Sequence, residues 1–326
     1  MGRIIAKQTS GNVMKGHIQE IRDLINKPIM QYPLLKNRAL WNQLCSCLDV
    51  IGDSEFAIDA YLNRKFQKST GENYLAVYGL LQALFLQQDA VFNLCESLGI
   101  PEKIHNYPKL EEIRDVRSDS IGHPTKRNRK KGQPTSYHFI SRPTLGPDGF
   151  QLLSLDSNGK LRSKDVSVPN LIKDQKTYLS NVLTAVIGEL KHREKAHKEK
   201  FRMEKLASFF PDTLGYCFEK INLSTTTLKE PALGAWGVEQ VKQVLKTFQE
   251  ALAKRGIELD TYDVVKNVYI LLEYPLAELE AFFQNVENGR ELNINERTAY
   301  IFAFFVEKQV NELKDLAREI DEDYSS

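Results

Sequence analysis

At 326 residues the chain is long enough for one large or two ordinary domains, each with a real core, so a second domain is expected. A net charge of +1 excludes a global bias towards nucleic acid or membrane, so any electrostatic site has to be local. Cys45, Cys47, Cys95 and Cys217 show no Cys-x-x-Cys spacing and read as reduced core thiols of a cytoplasmic protein. The opening Met-Gly-Arg-Ile-Ile-Ala-Lys-Gln has no sustained apolar region and does not read as a secretory signal. The most apolar stretches, 74–86 and 299–306, fall short of the ~20 residues that cross a bilayer, so a soluble, intracellular chain without a membrane partner is expected.

Over 13–26, Met14, Ile18, Ile21, Leu24 and Ile25 recur at helical spacing until Pro28 and Pro33 break the run. A second helix is predicted over 36–51 on the stripe Leu40, Trp41, Leu44, Leu48 and Ile51, with Asp53 and Ser54 as candidate caps of a third reaching Lys65. Residues 73–98 are apolar on nearly all sides and read as the central helix of a bundle. Gln82, Gln87, Gln88 and Asp89 interrupt that helix and each needs a partner. Either they line a cleft facing His123 or they form a satisfied polar network or an exposed strip.

After Gly99-Ile100-Pro101 a helix is predicted over 110–121, carrying Arg114 and Arg117 three residues apart on one side. Glu111 either positions an arginine or is an ordinary acidic residue of a first turn. Gly122 is expected to end the helix in the left-handed conformation, Pro124 to stop it resuming, and His123 to sit on the turn. Six helical steps would turn His123 about 240° away from Arg117, so the two converge only if the helix breaks between them. Arginine holds a phosphate by two parallel hydrogen bonds, and histidine exchanges a proton near neutral pH. A chance pair at such a spacing is expected once in a chain of this composition, so the helix-end position has to carry the specificity; the plain alternative is a basic helix C-cap with a surface imidazole.

Arg117, five intervening residues and His123, at a helix end in a mostly helical region, resemble the signature of the HEPN superfamily, with Ser118 and Asp119 similar to its polar position. The resemblance covers at most the first 205 residues. It implies a mainly α fold: a four- to five-helix bundle that often forms a homodimer and brings two Arg/His pairs into a metal-independent ribonuclease site acting on RNA, with no metal and no cofactor. Carried over, Arg117 stabilises the phosphate, His123 transfers protons, and Asp119 or Ser118 orients them. It also implies a toxin or phage-defence role, with an antitoxin or other regulatory protein as partner. HEPN domains paired with nucleotidyltransferase antitoxins often carry a tyrosine two residues after the histidine; here that position is Thr125. Many HEPN domains are inactive binding modules, the alternative reading.

Residues 124–168 change character. Lys126, Arg127, Arg129, Lys130 and Lys131 form a basic run that reads as an exposed loop, and with Arg114 they are the candidate RNA-binding residues. Stretches 137–142, 149–155 and 160–168, joined by Pro-Asp-Gly and Ser-Asn-Gly turns, predict a β-meander inserted between helices. Tyr137, His138 and Phe139 offer stacking surfaces there, unless the loop is merely solubilising.

A long helix is predicted from Pro169 or Asn170 to Lys205, its stripe of Leu179, Val182, Leu183, Val186, Ile187 and Leu190 packing on the bundle or on a second copy. Its charged stretch 191–200 should project into solvent, and His192 and His197, five apart, miss the four-residue step of a metal pair. The first domain is thus 1–205, a HEPN-like bundle with a β-insert at about 124–168, and the second is 206–326. The second has helices near 237–255, 261–285 and 293–320, Asn293 or Asn295 capping the last, a broad apolar face at Phe302, Phe304, Phe305 and Val306 read as core, and an acidic end read as a frayed tail. No phosphate loop, zinc spacing or nucleophile elbow is found in it, so regulation, oligomerisation or partner recognition is its default role.

Overall fold

The computed structural model describes residues 2–64, 70–127 and 135–324, with side chains from Val13 onward. The chain is mostly helical, with one small three-stranded antiparallel sheet. It divides into two compact units, one of residues 1–26 and 37–191, the other of 27–36 and 192–326. The division falls near Lys191 rather than 205, and the short helix α2 (Pro28–Leu35) belongs to the second unit.

In the first unit, α1 (Gly2–Ile25), α3 (Arg38–Asn63), α4 (Thr70–Ser97), α5 (Pro108–Arg117) and the first part of α6 (Val168–Phe201) surround the core. The break expected at Asp53 and Ser54 is absent: Asn37 caps α3 by accepting from the Leu40 amide at 3.2 Å, and the helix runs through. The Ser54 hydroxyl donates to the Val50 carbonyl at 2.7 Å, so it is satisfied inside the helix and has no amide to cap. The α6 stripe from Leu179 to Leu190 is buried, and Ser180 and Thr184 reach Met14 and His17 on α1. Within this chain, then, the stripe packs on the bundle.

By length and composition α4 is apolar enough to cross a membrane, which the stretch 74–86 taken alone is not; half of its most apolar window is buried here, 50%. Polar groups are threaded through its core face. Gln87 donates to Glu55 at 2.7 Å, Gln175 to Gln87 at 3.0 Å and to the Leu84 carbonyl at 2.8 Å, and Gln88 to Gln175 at 2.7 Å. Lys176 meets the other Glu55 oxygen at 3.0 Å, so this buried carboxylate is paired at both ends.

Strands β1 (Ser136–Ile140), β2 (Gly149–Asp156) and β3 (Leu161–Ser167) form the expected meander in the order β1-β2-β3. In the β2–β3 turn Asp156 accepts from the amides of Asn158 and Lys160 at 3.0 and 2.9 Å, and Gly159 takes the positive φ (80°) that the turn requires. Register pairs His138 with Ser154 and Ser154 with Arg162, and because side chains alternate, these share the face turned towards α5.

In the second unit, α7 (Leu214–Thr227), α8 (Pro231–Lys254), α9 (Asp263–Glu287) and α10 (Glu296–Asp323) join α2 and the end of α6. Asn295 caps α10 through the Thr298 amide at 2.8 Å. Helix α7 is absent from the sequence reading, because its Ser-Thr-Thr-Thr end reads as non-helical; Thr225 and Thr227 there donate back to the Asn222 and Leu223 carbonyls, each at 2.8 Å. Two further expectations fail. The charged stretch 191–200 does not simply project: Glu194 is buried with Lys27 at 2.9 Å, and His197 packs on Phe201 and Tyr324 with its Nε2 at 3.1 Å from the Arg255 carbonyl. The acidic end is anchored rather than frayed, because Asp321 accepts the Leu206 and Ala207 amides at 2.8 and 3.0 Å. Phe304 faces outward, so that apolar face is only partly core.

Candidate functional site

Helix α5 starts at Pro108, whose missing amide costs nothing at a first position, and runs to Arg117. Beyond it the chain widens into one π-helical turn, Ser118–Gly122, closed by the His123 amide donating to the Ser118 carbonyl at 2.8 Å. A five-residue repeat sets Gly122 over Arg117, which an α-helical turn would not do. Gly122 does not adopt the left-handed conformation expected of it. A Cβ there would lie 2.8 Å from Nη1 of Arg117, so a larger residue would have to displace that end of the guanidinium. The regular α-helix thus ends at Arg117, before His123. His123 follows with an exposed side chain that makes no hydrogen bond among the described residues.

Arg117 is held from the α4 side. Its Nε and Nη2 donate to Gln82 Oε1 at 3.2 and 2.8 Å, and its guanidinium lies 4.5 Å from the centre of the Phe85 ring. Arg114 brackets the same ring at 4.8 Å, donates to Gln88 at 2.8 Å and pairs with Asp89. Of the four polar residues singled out in α4, Gln82 therefore meets the candidate arginine, Gln88 and Asp89 meet its neighbour, and Gln87 turns inward to Glu55.

Asp119 points to the opposite side of the helix. Its carboxylate pairs with Arg127 and lies 3.4 Å from Nε2 of His138, so in this structure it orients those two groups rather than Arg117 or His123. Ser118 contributes its carbonyl to the π turn, and its hydroxyl makes no hydrogen bond among the described residues. Arg127 also donates to Asp115 at 2.6 Å; burial pulls its pKa down, but its hydrogen bonds to Asp119 and Asp115 and their negative charges outweigh that and raise it. Its guanidinium is committed inside the fold, whereas Lys126 is exposed. Arg129, Lys130 and Lys131 lie outside the described residues.

Between α5 and the sheet runs a groove of about 730 Å³, which neither Arg117 nor His123 lines. Glu111, Asp115 and Asp119, each four residues apart, form one wall, and Arg162 and Lys164 stand on the other. His138 closes its floor, with Nδ1 at 2.7 Å from Ser154 Oγ and Nε2 at 2.8 Å from Ser136 Oγ. Lys164 and Lys109 hold the Glu112 carboxyl below its usual range by hydrogen bonds, at 2.9 and 3.2 Å. The sequence reading missed this cage, although the four-residue acidic stripe and the alternation of Ser136 with His138 were there to signal it.

Among the described residues no group of three His, Cys, Asp or Glu side chains could hold a metal ion. The four cysteines are unpaired; burial pushes the Cys47 and Cys95 thiols up to about 11 and about 12, far from a reactive thiolate. Comparison with family models, with curated proteins and with solved structures gives no match to this chain. Any functional reading therefore rests on the residues of this chain alone.

Proposed function

We propose that the chain is a metal-independent endoribonuclease of HEPN type, in which a HEPN-like bundle presents Arg117 and His123 to RNA and the active form is a homodimer. The single observation supporting this reading is the π turn, which lays Gly122 against a guanidinium held by Gln82 and Phe85 and is followed directly by the exposed His123. His123 takes the proton of a ribose 2′-hydroxyl, whose oxygen bonds to the adjacent phosphorus. Arg117 offsets the charge growing on the phosphorane. The bond from phosphorus to the 5′-oxygen then breaks, and the leaving oxygen takes its proton from His123 of the second copy. A toxin or anti-phage role in the cytoplasm, held in check by an antitoxin or other regulatory protein, follows from the resemblance.

The test is cleavage of labelled total RNA and transfer RNA by the purified wild type and His123→Ala in EDTA. Cleavage by the wild type alone, leaving 2′,3′-cyclic phosphate ends, is expected; equal cleavage by both would overturn the role of His123. One observation favours a non-catalytic RNA-binding module instead: Arg114 and Arg117 are already engaged by Gln82, Gln88, Asp89 and Phe85. That reading predicts salt-sensitive RNA binding, unchanged by His123→Ala and without product.

A further inference from the structure

An antiparallel sheet with one solvated face normally turns its apolar side chains inward and its polar ones out. At one end this sheet does the reverse. His138, Ser154 and Arg162 share the groove face, while Tyr137, Leu155 and Leu161 align across the outer face with Phe139 and Leu153 in the next row. The outer side chains are far from covered: Tyr137 is 40% exposed, Phe139 52%, Leu155 38% and Leu161 62%. Five apolar residues on one open sheet face are a surface that calls for an occupant.

What borders this face identifies the occupant. The chain leaving His123 runs antiparallel beside β1: the His138 amide donates to the Pro124 carbonyl at 2.6 Å, and Arg127 and Ser136 exchange amide hydrogen bonds at 2.9 and 3.1 Å. This register sets the exposed Lys126 next to Tyr137 and brings His123, one residue before Pro124, to the Phe139 end of the strand. The two rings sit on alternate residues of one strand, roughly 7 Å apart along it. That is about twice the 3.4 Å rise of stacked bases in a duplex strand, so paired, stacked bases do not match the rings and splayed single-stranded bases do.

We propose that the outer face of the sheet is a stacking platform for two successive bases of single-stranded RNA, with Lys126 beside their phosphates and the next phosphodiester delivered to Arg117 and His123. The delivery step rests on the ribonuclease reading; the binding step does not. Aromatic rings hold bases of any sequence, so the platform selects strandedness rather than sequence.

The test uses the full chain and a labelled 2′-O-methyl oligouridylate, which lacks the hydroxyl needed for cleavage, with a duplex of equal length for comparison. Single-strand binding by the wild type is expected to be at least tenfold tighter than duplex binding, retained in His123→Ala, and weakened about tenfold by each of Tyr137→Ala and Phe139→Ala. The pair Tyr137→Leu with Phe139→Leu keeps an apolar face and the fold, which an unchanged melting temperature checks, but removes both π systems; it is expected to bind at least as weakly as either single alanine variant. Wild-type affinity in the leucine pair would overturn stacking in favour of a protein-docking face, and equal affinity for the duplex or no single-strand binding would overturn the platform. Failure of the two readings is separable. Binding lost with the rings but no cleavage by the wild type upholds the platform and refutes the nuclease. Cleavage with KM unmoved in the leucine pair does the opposite.

Discussion

Lys176→Met is the perturbation whose cost is best defined by the structure. Glu55 is completely buried, with Gln87 on one carboxylate oxygen at 2.7 Å and Lys176 on the other at 3.0 Å. Methionine fills nearly the same space but leaves the second oxygen without its cation, and removing one member of a buried pair costs about 3–5 kcal/mol. With a urea dependence of about 2–3 kcal/mol per molar for a domain of this size, the unfolding midpoint of the first unit should fall by roughly 1–2.5 M. Because a chain of two units need not unfold in one step, the readout is the urea dependence of native-state amide exchange in α3 and α4. Adding Glu55→Gln to the methionine variant removes the stranded charge while keeping a partner for Gln87, and should recover at least half of the loss. A single variant within about 1 kcal/mol of wild type, or a double variant less stable than the single, would refute the assignment of Glu55 as a charge sustained by Lys176.

The other predictions concern the candidate site and the second unit. Arg117→Lys keeps the charge but cannot hold Gln82 and a phosphate with one planar fork, so RNA cleavage should drop at least tenfold with little change in melting temperature; near-normal turnover would count against the phosphate role. Gly122→Ala places a methyl 2.8 Å from Nη1 of Arg117 and must displace a guanidinium tied to Gln82 and Phe85. The gain in helix propensity, about 1 kcal/mol, offsets part of the strain, so stability should stay within about 1 kcal/mol while cleavage falls more than tenfold; unchanged cleavage would separate Gly122 from the site. Burial lowers the pKa of His197, so above about 6.5 it is neutral both folded and unfolded. As pH falls below that value the unfolded chain takes the proton first and the second unit loses stability, a slope that His197→Phe should flatten in melts between pH 5.5 and 8. An equal slope in the variant would place the titration elsewhere.

What was legible in the sequence follows from which forces act locally. Apolar periodicity marked α4, α6, α8, α9 and α10, and the Ser-Asn-Gly signal located the β2–β3 turn, because a helix stripe or a turn needs only its own residues. The misses are places where a distant partner decides. Ser54 looks like a cap until its hydroxyl is seen donating within α3, the 191–200 stretch looks solvated until Lys27, Arg255 and Tyr324 pack on it, and Asp321 looks like tail until it receives two amides from residues more than a hundred positions away.

The candidate site shows the same division. Arg117, Gly122 and His123 were readable as a helix end, but the reason for the glycine was not. An α-helical geometry with a left-handed cap would have sent His123 off the arginine face, whereas one π turn returns Gly122 to it, and a π turn leaves no mark on residue spacing. Asp119, one of the two residues similar to the signature's polar position, lies on the other side, where Arg127 and His138 claim it. The turn thus separates neighbouring residues into two environments: Arg117 against Gln82 and Phe85 with the exposed His123 just beyond the turn, and the Asp119 carboxylate against Arg127 and His138 in the groove. Any function assigned to Arg117 and His123 has to use the first without disturbing the second. Variants of Asp119 should therefore be judged first by stability, since loss of activity there would follow from release of Arg127 and β1 as readily as from chemistry.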